Sequence, residues 1–557
     1  MIFLRQTTLS FRRHCSIRSF SSESKPFYIT TPIFYPNASP HIGHLYSLVT
    51  GDVFARYQRQ QGRDVRFLTG TDEHGMKIQK AAAAHFGGTE GREKEFCDAL
   101  SQRFRDLGRV ANIDNTCFMR TTSDEHHRAV DTVWRDLYAK GYIYKGQYCG
   151  WYSVTDECFY TDAQVDKEQA IALETGAAVE WCAEENYMFR LSALREGLLA
   201  HYTANTESVY PPQYRDQVLG MLTDGTLEDI SISRPRARLG WGVQVPDDPT
   251  QTVYVWFDAL LIYLTGAGYP WKLANAMHDG GWPADMQVIG KDILRFHAVY
   301  LPAILLALGD IPLAKTLLTH AHWTASNKKM SKSLGNVADP LEAIEKYGID
   351  SVRFYLMRTG GRWRTDVDWS DVQLEKHHEE IKSQLGNYFL RLTSPRLAAR
   401  AIPSTSDINA GLPAELQSLF LTPTPSAVPA DSDNAELLRQ TLILPSVVAE
   451  NMDKFEAGRA LNSIMDVLKT ANKTITDIAP WSKTLPETEV HKTRMVGLET
   501  VRVVSACLAP FMPETSAKVG DAIGGSEVYS DRLRGAKAMV EFWDRGNSQD
   551  IKGVKLF

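Results

Sequence analysis

Two short stretches, far apart in this chain of 557 residues, carry side chains that could handle a polyphosphate. The first is His41-Ile42-Gly43-His44, which follows a strand-like run, Phe27-Tyr28-Ile29-Thr30, and a turn-rich loop from Thr31 to Pro40. A helix that starts here offers unpaired backbone N–H groups and the positive end of its dipole to phosphate oxygens. His41 and His44 are three residues apart and project to one side, and Gly43 lets a nucleotide come close to the backbone. The second stretch is Lys329-Met330-Ser331-Lys332-Ser333, followed by Leu334-Gly335-Asn336. Two ammonium groups and two hydroxyls among small residues suit a loop that closes on a triphosphate and neutralises charge as pyrophosphate leaves. Read alone, each stretch has a plainer alternative: a chance helix start, or a solvated Lys/Ser loop.

The elements that must position these residues follow a βα pattern. Ser39 is a good N-cap and Pro40 a good first helical residue. Ile42, Leu45, Leu48, Val49, Val53 and Tyr57 then share one apolar face up to Gly62. Val65 to Thr69 reads as a second strand that enters the loop Gly70-Thr71-Asp72-Glu73-His74-Gly75, so a right-handed crossover in a parallel sheet is expected. Residues 90–140 read as helical. From Tyr142 to about Arg234 the text turns to aromatics, glycines and short alternating runs, which suggests an insertion. Strand-like text resumes at Thr252–Trp256, Met286–Ile289 and Leu317–Thr319, with helical text between. The economical answer is an α/β fold: a doubly wound, Rossmann-like parallel domain with an insertion. Helical periods dominate at 376–400, 434–470 and 488–510, and the Pro-, Ser- and Thr-rich span 402–433 reads as a loose loop.

Composition narrows the class. Apolar residues make up 43 % and charged residues 23 % of the chain, the balance of a globular protein of about two to four domains. The net charge of −6 argues against indiscriminate binding of nucleic acid, although local basic patches can still hold a particular one. No run of about 18 apolar residues occurs, so no membrane-spanning helix is expected. The seven cysteines (Cys15, Cys97, Cys117, Cys149, Cys158, Cys182, Cys507) are odd in number and form no C-x-x-C pair, which fits a reducing compartment without a disulfide framework. Residues 1–24 hold Arg5, Arg12, Arg13 and Arg18, many Ser and Thr, and no acid before Glu23. With interleaved apolar residues they read as a mitochondrial transit peptide, and the mitochondrial matrix is the expected location.

Taken together, in this order and each beside a strand end, the two stretches resemble the HIGH and KMSKS motifs of class I aminoacyl-tRNA synthetases. Four further segments resemble methionyl-tRNA synthetases: Thr30-Thr31-Pro32-Ile33-Phe34-Tyr35-Pro36-Asn37, Gly70-Thr71-Asp72-Glu73-His74-Gly75, Tyr254-Val255-Trp256-Phe257-Asp258-Ala259 and Gly290-Lys291-Asp292-Ile293-Leu294-Arg295-Phe296-His297. The resemblance runs from about Lys25 to Asp371 and more weakly beyond. It implies that His41, Gly43, His44, Lys329, Ser331, Lys332 and Ser333 bind ATP, with Mg²⁺. It implies a methionine pocket lined by Ile33, Tyr35, Trp256, Ala259, Leu260, Tyr263 and His297. Asp72 would hold the substrate ammonium, Arg234 would assist the carboxylate and the activated state, and Asp292 would lie at the aminoacyl site. Catalysis would then rest on His41, His44, Lys329, Lys332 and Arg234. Aromatic walls do suit a polarisable thioether, and a carboxylate at the end of a parallel strand is well placed for a cationic amine. Taken singly, Trp256 and Tyr263 could equally be core residues. Leu260 and Leu301 stand where some relatives carry Pro and Trp, so Leu301 is expected to soften one pocket wall.

The resemblance also assigns the remaining parts: catalytic domain in two halves, 25–145 and 236–320; connective insertion, 146–235; the Lys-rich loop with a stem-contact region, 321–375; helical anticodon-binding domain, 376–557. Many relatives carry zinc knuckles in the insertion. Here Cys149 and Cys158 are nine apart and Cys182 is isolated, so no structural zinc is expected. Gly150-Trp151-Tyr152-Ser153-Val154-Thr155-Asp156-Glu157 is similar to the zinc-free, mitochondrial-type subgroup. An insertion of about 90 residues is smaller than the editing domains that discrimination among Ile, Val and Leu requires. Asn387, Arg391 and Trp481 resemble the family's anticodon readers, by hydrogen bonds and by stacking. The implied activity is ATP-dependent formation of methionyl-adenylate and its transfer to tRNA(Met), by a monomer with no membrane partner. A cysteine-specific class I enzyme and an idle RNA-binding descendant of a synthetase are the rival readings.

Overall fold

The computed structural model describes residues 24–153, 158–160, 162–173, 175–224, 227–326, 328–330, 337–401, 434–523 and 555–557. Outside the described residues lie the expected transit peptide apart from residue 24, residues 154–157 of the insertion, Ser331, Lys332, Ser333 and residues 334–336 of the Lys-rich stretch, the loop at 402–433, and residues 524–554 of the expected helical domain.

The fold is a doubly wound α/β domain followed by helices. Six strands, β1 (Phe27–Phe34), β2 (Val65–Thr71), β3 (Cys117–Arg120), β4 (Val209–Tyr210), β5 (Met286–Gly290) and β6 (Leu317–His320), form one sheet. Their order is β3-β2-β1-β5-β6-β4, and every neighbouring pair is parallel. The central strands are buried on both faces, and β5 is buried throughout, as a sheet covered by helices on each side requires. One core joins β1 and β2 to the following helix and to the C-terminal helices; the other packs Trp134, Tyr202, Phe257 and Leu305 with Tyr28 and Ile289. Chain order reverses between β1 and β5. Their carboxyl ends therefore open a crevice of the kind where such sheets bind ligands.

Helix α1 (Ile42–Gln60) descends from β1. Its cap differs from expectation. The N-cap is His41, not Ser39, and Pro40 lies before the helix. The imidazole does the work expected of a hydroxyl: His41 Nδ1 accepts from Gly43 N at 3.0 Å, and His44 Nδ1 accepts from His41 N at 3.0 Å. At its other end the chain leaves through Gly62 at φ +80°, which glycine adopts without strain.

Two further expectations are corrected. The helical reading of 90–140 holds for Glu93–Val110 and for α2 (Asp124–Ala139), but Cys117–Arg120 between them is the edge strand β3. Four residues are too few for a period to register. The strand expected at Thr252–Trp256 ends at Val253 and belongs to a separate antiparallel sheet with Ser233–Pro235 and Gln244–Val245. From Val255 the chain is helical, as α3 (Val255–Leu260), because the spacing of Trp256, Ala259, Leu260 and Tyr263 is that of one helix face. At the expected insertion of 146–235, Ile143–Ser153, which starts just before it, and Glu180–Phe189 form a long antiparallel pair, whereas Val209–Tyr210 returns to the main sheet beside β6. Beyond it, α4 (Ile349–Gly360) leads to α5 (Ala435–Asp453), α6 (Ala457–Ile478), α7 (Glu487–Leu508) and α8 (Pro513–Ile523), which pack on one another.

Candidate active site

The crevice is a cavity of about 410 Å³ lined by residues from the carboxyl ends of β1, β2, β5 and β6, from the start of α1, and from α3. Each segment reaches it for a local reason. Pro32 has no N–H for the ladder, and the β1–β2 register slips between Thr30 and Ile33, so Ile33 and Tyr35 reach the cavity. Asp72 follows β2, with its backbone N–H donating to Phe34 O at 2.9 Å. Gly290 ends β5; a Cβ there would stand 2.7 Å from Asp292 Oδ1. A widened helical turn, Phe296–Tyr300, carries His297.

Of the residues singled out from sequence, His41, Gly43, His44, Ile33, Tyr35, Asp72, Trp256, Ala259, Leu260, Tyr263, Asp292 and His297 all line this one cavity. The two histidines lie with ring centroids 3.9 Å apart. In each ring Nδ1 is an acceptor within the capping box, so the proton of the neutral ring sits on Nε2. Gly43 is needed at this point: a Cβ would stand 2.9 Å from the His41 ring. Trp256 stacks on Phe296, with centroids 3.7 Å apart and planes at 13°. The Lys-rich stretch also reaches the cavity. Met330 lines it, and Lys328–Lys329 pairs with Trp323–Ala325.

Deep in the cavity, His297 donates from Nδ1 to Ile293 O at 2.9 Å and accepts at Nε2 from the Tyr263 hydroxyl at 2.7 Å. Burial pushes His297 down to about 4. Tyr263 is pushed well up, by burial and then by the Asp72 charge. Asp292 Oδ1 lies 3.0 Å from His322 Nε2.

Two candidates are placed elsewhere. Arg234 is buried but is not among the cavity residues. It donates to Ser231 Oγ at 2.8 Å and Ser233 O at 2.7 Å, and its guanidinium lies 4.5 Å from the Tyr254 ring centroid. Leu301 does not line the cavity either, so its expected softening of a pocket wall is corrected. The widened turn at Phe296–Tyr300 displaces the residues after it around the helix axis, and Leu301 packs into a separate small cleft behind His297.

His320, His322 and Ser47 were not anticipated. His320 donates from Nδ1 to Ala321 O at 2.9 Å and accepts at Nε2 from Ser47 at 2.9 Å; burial lowers it to about 4. Two histidines two residues apart at the end of a parallel strand were the available signal. In the helical region Asn387, Arg391 and Trp481 are all exposed, and the Arg391 guanidinium lies 6.0 Å from the Trp481 ring centroid.

The family described as tRNA synthetases class I (M) matches residues 27–173 and 166–393. The chain belongs to the class I methionyl-tRNA synthetases. Methionine–tRNA ligase, mitochondrial, of Takifugu rubripes is 41 % identical over 529 residues, 91 % of this chain and 84 % of that one. The Homo sapiens protein of the same name is 39 % identical over 528 residues, 90 % and 84 % of the two chains. Among solved structures, Mycobacterium tuberculosis methionyl-tRNA synthetase bound by methionyl-adenylate superposes with a TM-score of 0.80. It is 37 % identical, and the match covers 91 % of this chain and 96 % of that one. A methionyl-tRNA synthetase needs a pocket for a thioether side chain beside a nucleotide site, and the cavity joins an aromatic wall to the paired histidines.

Proposed function

We propose that this chain activates methionine with ATP and transfers it to tRNA(Met) in the mitochondrial matrix, and that the cavity at the ends of β1 and β5 is where both substrates meet. One observation carries the reading: residues from the ends of four strands, from the start of α1, from α3 and from the start of the Lys-rich stretch converge on that cavity, both histidines among them.

The Asp72 carboxylate takes the methionine ammonium, and the side chain lies among Ile33, Trp256, Ala259, Leu260 and Tyr263. ATP lies over the start of α1, where the positive end of the helix dipole and the His41 and His44 rings face phosphate oxygens; the amides of residues 41–44 are already bonded within the protein. The methionine carboxylate attacks the α-phosphorus in line; a new carboxyl–phosphate bond forms as the bond to the pyrophosphate oxygen breaks. Catalysis is chiefly positioning and charge stabilisation, with Lys329, Ser331, Lys332 and Ser333 meeting the departing pyrophosphate. Mg²⁺ bound with ATP would be held chiefly by the phosphate oxygens and would neutralise part of their charge; no group of three or more His, Cys, Asp or Glu suited to a metal occurs among the described residues. A terminal ribose hydroxyl of tRNA then attacks the adenylate carbonyl and releases AMP. Arg234 acts from outside the cavity wall, and Asn387, Arg391 and Trp481 read the anticodon. No helix among the described residues is long and apolar enough to cross a membrane. The reading includes a monomer without structural zinc, observable by light scattering and metal analysis.

The decisive experiment is amino-acid-dependent ATP–pyrophosphate exchange. Methionine should support exchange and cysteine should not. Lys332→Ala should lower the rate by roughly a hundredfold or more. Exchange driven by another amino acid, or RNA binding with no exchange at all, would overturn the reading.

A further inference from the structure

Beside the cavity, but not lining it, lies a buried carboxylate with two imidazole partners. Asp258 is fully buried. Its Oδ2 is 2.5 Å from His74 Nδ1 and its Oδ1 is 2.6 Å from His126 Nε2. His126 Nδ1 lies in turn 2.9 Å from Thr265 Oγ1. Both imidazoles are almost wholly buried as well. Burial alone would push the Asp258 carboxyl up; His74 and His126 outweigh it and hold the group below the usual carboxylate range.

What this cluster joins is the point. Asp258 sits in α3, between Trp256 and Ala259, which line the cavity. His74 follows Asp72 by two residues in the loop after β2, and its carbonyl accepts from the Tyr35 hydroxyl at 2.7 Å. His126 anchors the same carboxylate to α2. Three parts of the wall, from β1, from β2 and from α3, are thus tied through one acid. α3 has only six residues, too few to hold its own orientation. Exchanging a buried polar cluster for apolar residues is often neutral for stability, so its consequence is to be sought in geometry, where a misplacement of about 1 Å can cost a hundredfold.

We propose that Asp258 is a positioning residue for methionine: through His74 it sets the separation between the Asp72 carboxylate and the wall of Trp256, Ala259 and Leu260, and so governs the affinity and selection of the amino acid rather than the chemistry on ATP. This rests on the reading of Asp72 and Trp256 as methionine contacts.

The test is exchange kinetics on the full chain carrying Asp258→Asn, His74→Leu, His74→Asn or Asp72→Asn, with methionine and with norleucine, in which a methylene replaces sulfur. An asparagine at 74 can present an N–H where His74 Nδ1 stands. Asp258→Asn and His74→Leu should raise KM for methionine about tenfold or more, with KM for ATP and kcat within about twofold, and should narrow the preference over norleucine. His74→Asn should restore most of the loss. The proposal fails if KM for methionine is unchanged, if kcat and KM for ATP move in proportion, or if His74→Asn behaves like His74→Leu. Should Asp258→Asn not fold, the two His74 variants decide alone. If Asp72→Asn raises KM for methionine while the others do not, only the positioning role is lost; if Asp72→Asn has no effect, the site reading falls.

Discussion

Tyr263 donates its phenolic hydroxyl to Nε2 of His297 at 2.7 Å, and the tautomer that accepts this bond is set by the donation of His297 Nδ1 to Ile293 O. The bond joins the helix after α3 to the widened turn after β5, two walls of the same cavity. Tyr263→Phe keeps the ring and strands the imidazole acceptor. A buried group left without its partner costs about 1–3 kcal/mol, so KM for methionine should rise several-fold in pyrophosphate exchange. An unchanged KM would show that this bond does not shape the pocket.

Acid should weaken the fold before carboxylates titrate. His297 and His320 are both lowered to about 4 by burial, against about 6.5 in an unfolded chain. Between those values the unfolded state binds more protons than the native one, so stability falls as pH drops from 6.5 towards 4. At pH 5 the loss should be on the order of 2 kcal/mol per histidine. Urea titrations at pH 7.5 and 5.0 will measure it, and His320→Gln should flatten the slope. Equal slopes for the variant and the parent chain would count against the neutral, buried ring.

Asp52 and Arg353 form a buried ion pair that ties α1 to α4 and, through Arg353, to the helices that follow. Both side chains are fully buried, 2.6 Å apart. Arg353 also donates to Phe511 O and Pro510 O, each at 2.9 Å, in the turn after α7. Asp52 accepts from Asp114 N at 2.8 Å and from Arg56 at 2.7 Å. Removing one partner of a buried pair costs about 3–5 kcal/mol. Arg353→Met should therefore lower the unfolding midpoint by several degrees, and a double-mutant cycle with Asp52→Asn should show strong coupling. Additive losses would mean that the two groups act independently.

Trp481 is 53 % exposed, unusual for a large indole and suited to stacking on an unpaired base. Such a stack is worth about 1–3 kcal/mol. Trp481→Ala should lower kcat/KM for tRNA charging roughly five- to hundredfold while methionine-dependent exchange is unaffected. If both activities fall together, the residue supports the fold rather than the tRNA.

Much of the fold is legible in the amino-acid sequence. The strands β1, β2, β5 and β6 and helix α1 announce themselves because apolar period and turn chemistry agree over long runs. The two motif stretches stand out because histidines, glycine and lysines at such spacings serve phosphates. Elsewhere local signals were weak or in conflict. β3 was too short for a period to appear within a helical span. At Thr252–Trp256 an alternating run overlapped a helical spacing, and packing of Trp256, Ala259 and Leu260 against the cavity side favoured the helix. His41 displaced Ser39 as the cap because its ring reaches the Gly43 amide.

The order of residues along the chain determined which groups were available: a histidine pair at a helix start, an acid after a strand, aromatics at helical spacing. Only the folded chain decided which of them meet. Leu301 and Arg234 lie outside the cavity, His320 and His322 lie in it, and Asp258 bridges His74 and His126 from 184 and 132 residues away along the sequence. Local propensities act over a few residues, whereas such meetings depend on sheet order and helix rotation, which the whole chain settles at once.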